Sequence, residues 1–412
     1  MEGYNKKVIM SYWTICRMKT TKKIYVKVSI IFLLGGILLF SSCEKEENQK
    51  IEANRKTLFM YLPWSSNLTN YFYNNISDLE KCITKIGLNN EKVIVFISTG
   101  STEAMMFEIV SSHGRCKREI LKKYKSPPFT TIDGITAILN DVKAFAPASV
   151  YTMIIGCHGM GWLPVYEMKV RSAPHMKMHW EYQGVPLTRY FGGLTAEYQT
   201  DIKSLASGIA NAGMKMEYIL FDACYMSSIE VDYELKDVTK YLIGSTSEMM
   251  AHGMPYAAIG EYLLGNPDYQ SGCEEFYNFY STYEIMPCGT LAVTDCSELE
   301  NMAAIIKSIN SKYSFDKSLR GTIQRLDGYT PVIFYDFADY ITSLCNDPIL
   351  LNQFREQLNH LVPYKTHTKN FYTMAKGIIP INTFSGITTS DPSDNPMTVL
   401  KENTLWYKAA HN

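Results

Sequence analysis

The chain has 412 residues, of which 46% are hydrophobic and 20% are charged, and its formal net charge is −1. This composition is typical of a globular protein with one large domain or two ordinary ones. The balanced charge argues against a nucleic-acid-binding surface, and the sequence has no zinc-ligand spacing, phosphate-binding loop or periodic repeat. We therefore expect no nucleic-acid partner and no bound metal, and we expect a monomer.

The amino terminus is predicted to be an export signal. Three lysines precede a short apolar run, residues 28–40, and small residues then lead to Cys43. This order of basic, apolar and small residues is typical of a secretory signal. The run is shorter than the ~20 residues of a membrane-spanning helix, which disfavours an uncleaved anchor. Residues 1–42 are thus predicted to be removed, and Met18 is a more natural start than Met1.

Because Cys43 follows two serines, the segment resembles a bacterial lipoprotein signal, in which such a cysteine becomes the lipidated first mature residue. Residues 43–56 are charged and poor in apolar side chains, so we expect a solvated tether. Its acidic residues resemble a tag that directs lipoproteins to the outer surface of some Gram-negative bacteria, although an ordinary linker explains them equally well. The expected location is the bacterial outer membrane, through a lipid anchor, with cell-surface exposure left open.

Strand and helix patterns alternate from residue 57 onward. Short apolar runs predict strands, and apolar spacings of three and four predict helices between them. Either Thr130 or Thr131 is expected to cap the second helix. Such alternation predicts an α/β fold with a mostly parallel sheet between helices. The predicted strands are 58–62, 93–97, 105–110, 150–155, 218–221 and 241–243, and the predicted helices are 75–86, 132–145 and 200–212.

Two of the predicted strands end in reactive side chains. His158 follows one strand, and Cys224 follows another, with Asp222 two positions before it. The carboxyl ends of parallel strands line a common crevice, so imidazole and thiol should meet there. An imidazole that takes the thiol proton leaves a nucleophilic thiolate. An inert buried cysteine is the simpler alternative, but the adjacent carboxylate and the glycines around His158 favour acyl-transfer chemistry.

These two motifs, strand-His-Gly and strand-Asp-Ala-Cys, resemble the clostripain family of cysteine peptidases, which are relatives of caspases. The resemblance implies a caspase-like three-layer sandwich with His158 and Cys224 as the catalytic residues. It also implies that Asp222 lines the S1 pocket and favours Arg or Lys before the scissile bond. The resemblance also includes Asn67 and the leucine that follows it, just after the first predicted strand. The family's usual small or polar residue before the histidine is Cys157 here.

The chemistry follows from these assignments. Cys224 would attack the carbonyl after a basic side chain held by Asp222, while His158 acts as general base and then protonates the leaving amine. The backbone amides of Gly159 and Cys224 are the expected oxyanion donors. The substrate is expected to be a protein or peptide with basic residues. No cofactor is required, and a dependence on calcium is left open.

A long segment, residues 163–199, separates the histidine strand from the cysteine strand and has no clear period. A loop of this length in a compact domain is usually functional or disordered. It contains Lys169, Arg171, Lys177 and Arg189, each a candidate autocleavage site for an enzyme that prefers basic residues. We predict that the chain is made nearly inactive and cuts itself here. A permanently ordered insertion that shapes specificity is the alternative.

Residues 57–264 are predicted to form the peptidase domain and residues 265–412 a smaller C-terminal supporting subdomain. In the latter, Asp336 and Asp339 could pass for a catalytic pair, but their spacing favours an ordinary helix or strand end. Two other functions stay open for the whole chain. One is a catalytically inactive surface lipoprotein that binds a protein or glycan ligand, and the other is a different thiol acyl-transfer enzyme, such as a transpeptidase.

Overall fold

The strands of the molecule build one large sheet and two small ones. The computed structural model describes residues 54–165, 185–189 and 198–411. Within them the strands are β1 (Asn54–Leu62), β2 (Glu91–Ser98), β3 (Glu103–Ser112), β4 (Arg115–Lys125), β5 (Ala148–Gly156), β6 (Met216–Asp222), β7 (Thr239–Gly244), β8 (Thr290–Asp295), β9 (Tyr335–Asp336), β10 (Tyr364–His367), β11 (Asn370–Thr373), β12 (Gly377–Pro380) and β13 (Thr388–Thr389).

The large sheet has nine strands in the order β10-β8-β7-β6-β5-β1-β2-β3-β4. Its centre is parallel, because β5, β1 and β2 are paired in parallel and so are β5, β6 and β7. The outer strands β3, β4, β8 and β10 pair antiparallel. The inner strands are apolar along most of their length, as expected of strands that are buried on both faces.

Helices cover both faces of this sheet. One group, α1, α5 and α6, packs together, and a second group joins α2, α3, α4, α7, α9 and α10. These are α1 (Thr69–Ile86), α2 (Ile132–Phe145), α3 (Ile202–Asn211), α4 (Ile229–Leu235), α5 (Tyr256–Leu263), α6 (Tyr269–Ser281), α7 (Leu299–Asn310), α8 (Phe337–Leu344), α9 (Pro348–Leu361) and α10 (Leu405–His411). The predicted three-layer α/β sandwich is therefore confirmed.

Local sequence signals account for most helix boundaries. Thr131, one of the two candidate caps of α2, accepts a hydrogen bond from the amide of Gly134 at 3.1 Å. Helix α1 begins six residues earlier than predicted, because the buried Phe72 extends the apolar stripe of the helix by one turn. Asp336 caps α8 by accepting from the amide of Asp339, so this pair is an ordinary helix start, as predicted.

The C-terminal third of the chain shares the core of the molecule. Its strands β8 and β10 belong to the large sheet, and its helices α7 and α10 pack on each other and α10 on α4. Residues Asn54–Asn412 form one compact unit, and the predicted boundary at residue 264 lies inside it. None of the helices described here combines the length and apolar character that a membrane crossing requires. The export signal, Cys43 and the predicted tether up to residue 53 lie outside the described residues, whereas residues 54–56, predicted as a solvated tether, begin β1.

We expect Trp406→Ala to lower the free energy of unfolding by about 3–5 kcal/mol. Trp406 is fully buried, and its ring meets Tyr233 and Phe337 edge-on at 5.8 Å, which ties α10 to α4 and α8. Urea unfolding measures the loss. The neighbouring Leu405 is 42% exposed, so Leu405→Ala is the control and should change stability by only about 0.5 kcal/mol. Equal effects of the two variants would contradict this packing.

Candidate active site

The two predicted catalytic side chains lie at the same edge of the sheet. Gly156 at the end of β5 is paired with Asp222 at the end of β6, and each strand then runs into the loop that carries His158 or Cys224. The two loops touch: a Cβ placed on Gly159 would lie 2.3 Å from the carbonyl oxygen of Cys224. Only glycine permits so close an approach. The sequence therefore located both loops correctly relative to each other.

Asn67 contacts the imidazole of His158. Its Oδ1 lies 2.9 Å from Nε2 of the histidine, which is 8% exposed. Because the amide oxygen accepts, this contact assigns the proton to Nε2 and fixes the orientation of the ring. Asn67 stands just behind β1, next to β5 in the sheet. Asn67 belongs to the family resemblance but had no role assigned to it; its position behind a central strand was the available signal.

The thiol of Cys224 is closed off from solvent. Its side chain is fully buried, and Sγ accepts a hydrogen bond from the amide of Met249 at 3.2 Å. Burial raises the pKa of Cys224 well above its usual value, and the nearby Glu248 adds to the rise. The group is thus a protonated thiol near neutral pH, rather than a thiolate ready to attack.

The second thiol of this region, Cys157, is half-buried, and burial raises its pKa to about 12. It too is a protonated thiol near neutral pH, so its pKa does not set it apart from Cys224. Cys288 and Cys296, which flank β8, are free thiols rather than a disulfide. Beside Cys157 and His158 lies a cavity of about 90 Å³ with largely apolar walls that include Trp64.

The carboxylate of Asp222 forms an ion pair with an arginine of the same chain. The guanidinium of Arg189 lies 2.8 Å from its Oδ2, and the side chains of Arg189 and Asp222 are 0% and 1% exposed. The carboxylate also accepts from the amide of Met254 and the hydroxyl of Tyr256, each at 2.9 Å. Burial raises the pKa of Asp222, and the Arg189 guanidinium opposes that rise.

Further groups complete the enclosure of the guanidinium. It donates to the carbonyl of Asp222 at 2.9 Å, to the Asn75 side chain of α1, and to the carbonyls of Ala251 and His252 at 3.3 Å. Phe72 packs against it, 5.4 Å from ring centre to guanidinium carbon. The pocket therefore matches the planar, five-donor shape of arginine.

Gly253 leaves room for this ion pair. Its φ of +76° is a conformation that L side chains rarely adopt. A Cβ there would lie 2.1 Å from Nη2 of Arg189 and 2.4 Å from Oδ1 of Asp222. The pocket wall is thus formed by bare backbone at the point where the two charges meet.

The residues before Arg189 lie extended against the loop that follows β7. The amide of Arg189 donates to the carbonyl of Met249 at 2.7 Å, and the amide of Ala251 donates to the carbonyl of Leu187 at 2.9 Å. Thr188 and Met250 form the antiparallel bridge between them. Segment 185–189 therefore pairs with this loop in the way that many clefts bind extended peptides.

Of the four candidate autocleavage residues, only Arg189 is described, and it is the one that the structure brings to Asp222. Lys169, Arg171 and Lys177 lie outside the described residues. In the described part of the chain, no cluster of three or more His, Cys, Asp or Glu side chains could hold a metal. Glu248, Gly253 and Tyr256 lie in the stretch after Cys224 that resembles the family, but the resemblance assigned them no role in the site.

Comparisons with known proteins agree with this geometry. A family model described as the clostripain family matches residues 60–379. Iotapain, a secreted C11 cysteine protease from Bacteroides thetaiotaomicron, is 58% identical, with a TM-score of 0.81 over 87% of this chain and 99% of that chain. A search of curated proteins found no match.

Two other solved structures represent different states. A clostripain from Bacteroides thetaiotaomicron in complex with the peptide inhibitor BTN-VLTK-AOMK is 64% identical, with a TM-score of 0.53 over 54% of this chain and 99% of that chain. An inactive zymogen of a C11 protease from Parabacteroides distasonis is 25% identical, with a TM-score of 0.72 over 87% of this chain and 98% of that chain.

We expect Arg189→Ala to raise the rate at which iodoacetamide alkylates Cys224 at pH 7.5 by at least about ten-fold. Without the ion pair, segment 185–189 loses its anchor, and water reaches the thiol and removes the main cause of its raised pKa. Mass spectrometry of the labelled peptides measures the rate, in a His158→Ala background that prevents turnover.

Arg118→Ala is the control, because Arg118 forms a partly exposed ion pair with Glu80, at 2.6 Å, away from the site. It should leave the labelling of Cys224 unchanged, and the half-buried Cys116, whose thiol contacts the carbonyl of Glu80, provides an internal reference in the samples that keep Arg118. If Cys224 is labelled rapidly in the chain that keeps Arg189, the thiol is not closed off from solvent.

Proposed function

The chain belongs to the clostripain family of cysteine peptidases, and from this membership we propose that it is an endopeptidase that cleaves after Arg or Lys and processes itself. One observation carries the proposal: Arg189 fills the Asp222 pocket at the end of an extended segment, next to Cys224. A pocket that holds the chain's own arginine is suited to hold that of a substrate.

In the proposed reaction, His158 takes the proton of the Cys224 thiol, and Sγ bonds to the carbonyl carbon after the basic residue. The carbon–nitrogen bond then breaks, and the leaving amine receives the proton from His158. Water attacks the resulting thioester with His158 again as base, which releases the carboxylate and restores the thiol. Asn67 would hold the imidazole in the orientation for both transfers.

The developing oxyanion needs donors close to the nucleophile. We assign this role to the backbone amides of Gly159 and Cys224, whose loops touch at the glycine. Catalysis by this route requires no cofactor. The Asp222 pocket should prefer Arg to Lys, because its carboxylate, carbonyl and amide acceptors surround a planar fork rather than a point charge.

Self-processing after Arg189 would explain why the nucleophile is closed in this chain. A tethered segment is present at a high effective concentration and therefore excludes other peptides from the cleft. Cleavage would release one of its two tethers and allow exchange with substrate. The inhibitor of the Bacteroides clostripain, VLTK, ends in Leu-Thr and a basic residue, and Leu187-Thr188-Arg189 has the same order.

The location of the protein is proposed from the sequence. A lipidated Cys43 would anchor it at the outer membrane, whereas iotapain is described as secreted. A binding lipoprotein without turnover and another thiol acyl-transfer enzyme are the competing functions. A peptide electrophile that carries Arg discriminates among them, because a binding protein would not react and an enzyme of other specificity would not require the Arg.

We expect Cys224→Ala and His158→Ala each to abolish hydrolysis of an Arg-containing peptide, whereas Cys157→Ala retains most of it. The first two variants remove the nucleophile and the base, and the third removes a thiol at a position that is usually small or polar in the family. Release of a fluorophore after Arg measures the rate, and a peptide with norleucine in place of Arg should not be cleaved. If Cys157→Ala is the dead variant, the nucleophile is assigned to the wrong residue.

We expect the purified wild-type chain to yield a fragment that begins at Tyr190, whereas Cys224→Ala and Arg189→Ala lack this fragment. The reason is that Arg189, alone among the described candidate cleavage residues, contacts Asp222. Mass spectrometry of fragment ends decides the site, with Lys177→Ala as a control that should be cut normally. A wild-type chain that stays whole at full activity would contradict self-processing, and an unchanged cut in Arg189→Ala would move the site.

A further inference from the structure

Glu248 is a buried carboxylate beside the cleft that no step of the proposed reaction uses. It is 4% exposed and lies in the loop after β7. On one side of it, the carbonyl of Ser247 accepts from the amide of Tyr225, and on the other side the carbonyl of Met249 accepts from the amide of Arg189. Burial raises the pKa of Glu248 to about 7. A carboxyl group is retained in such a place only when hydrogen bonds compensate for its desolvation.

Three donors reach Glu248. The hydroxyl of Tyr225 donates to Oε1 at 3.0 Å, and the amide of Met374 donates to Oε2 at 3.1 Å. The third and shortest contact comes from segment 185–189: the hydroxyl of Thr188 donates to Oε2 at 2.7 Å. Thr188 is fully buried and directly precedes the arginine in the Asp222 pocket.

Another buried glutamate shows what a purely structural carboxyl looks like. Glu230 accepts from the side chains of Ser228 and Thr389 and from the amide of Ser390, at 2.7–3.0 Å. All of these donors belong to the fixed core of the fold. Glu248 differs because one of its donors lies on the segment that occupies the cleft, so its hydrogen-bonding shell is completed by whatever peptide binds there.

From this geometry we infer that Glu248 is the specificity-determining residue of the S2 subsite and selects a threonine or serine immediately before the basic residue of the substrate. The inference rests on the proposed function, in which segment 185–189 binds as a substrate does. A side chain without a hydroxyl would bury an oxygen of Glu248 with one donor fewer, and sites of this kind discriminate strongly against the analogue that lacks the group.

The neighbouring positions of the segment are held differently. Leu187 is 39% exposed, and its backbone carbonyl, not its side chain, is fixed by Ala251. The carbonyl of Pro186 accepts from the hydroxyl of Tyr372 at 3.1 Å, which again involves only the backbone. The structure therefore assigns side-chain selection to the basic residue and the one before it, with tolerance at the position occupied by Leu187.

The test uses processed wild-type enzyme and fluorogenic peptides that differ at one position. Pro-Leu-Thr-Arg is compared with Pro-Leu-Val-Arg, because valine has the shape of threonine without the hydroxyl, and with Pro-Ala-Thr-Arg. We expect kcat/KM to fall by at least about ten-fold for the valine peptide and to change little for the alanine peptide.

The second measurement is the threonine-to-valine ratio in Glu248→Gln. Glutamine has the shape of glutamate without its charge, and a neutral amide oxygen accepts the threonine hydroxyl more weakly than a carboxylate does, so the ratio should fall by at least about three-fold. Glu230→Gln also removes a buried carboxylate and should keep the wild-type ratio. The ratio is used rather than the rate, because Glu248 also raises the pKa of Cys224.

The possible outcomes test the S2 assignment and the proposed peptidase function separately. Equal cleavage of the threonine and valine peptides by wild type would overturn the S2 assignment and leave the proposed peptidase intact. A strong threonine preference that Glu248→Gln leaves unchanged would also overturn the role of Glu248. Failure of wild type to cleave any peptide with Arg would overturn the proposed function and this inference with it.

Discussion

The buried ion pair between Arg189 and Asp222 is the interaction on which the rest of the site depends. Breaking such a pair by removing one partner costs about 3–5 kcal/mol, because the other charge stays buried and uncompensated. Asp222 therefore requires a cation in its pocket, which is Arg189 in this structure. Three features keep the cation in place: the absence of a side chain at Gly253, the acceptors around the guanidinium, and the backbone pairing of segment 185–189.

A single stretch of chain after β7 contacts both the nucleophile and the bound segment. The amide of Met249 donates to Sγ of Cys224, while its carbonyl accepts from the amide of Arg189. Glu248, one residue earlier, links Thr188 to Tyr225, the residue directly after the nucleophile. Segment 185–189 and the thiol are therefore linked through two adjacent residues, Glu248 and Met249.

Sequence reasoning succeeded where the physical signal is local. Continuous apolar runs predicted the buried inner strands, and an apolar stripe predicted α1, whereas the charged edge strand β4 was missed because alternating Lys, Arg and Glu give it no buried face. The two motif loops could be located because parallel strands end at one edge. The contact between Arg189 and Asp222 could not be predicted, because the two residues are 33 positions apart and the segment that contains Arg189 has no periodicity.

The order of strands in the sheet has a consequence for the cut chain. Every strand that precedes Arg189 lies on one side of the boundary between β5 and β6, and the sheet strands that follow it all lie on the other side. Processing at that residue would thus turn one polypeptide into a heterodimer whose subunits pair edge to edge in parallel, with the imidazole in one and the thiol in the other. Dissociation would expose two apolar strand edges, so the mature protein should persist only as an obligate complex.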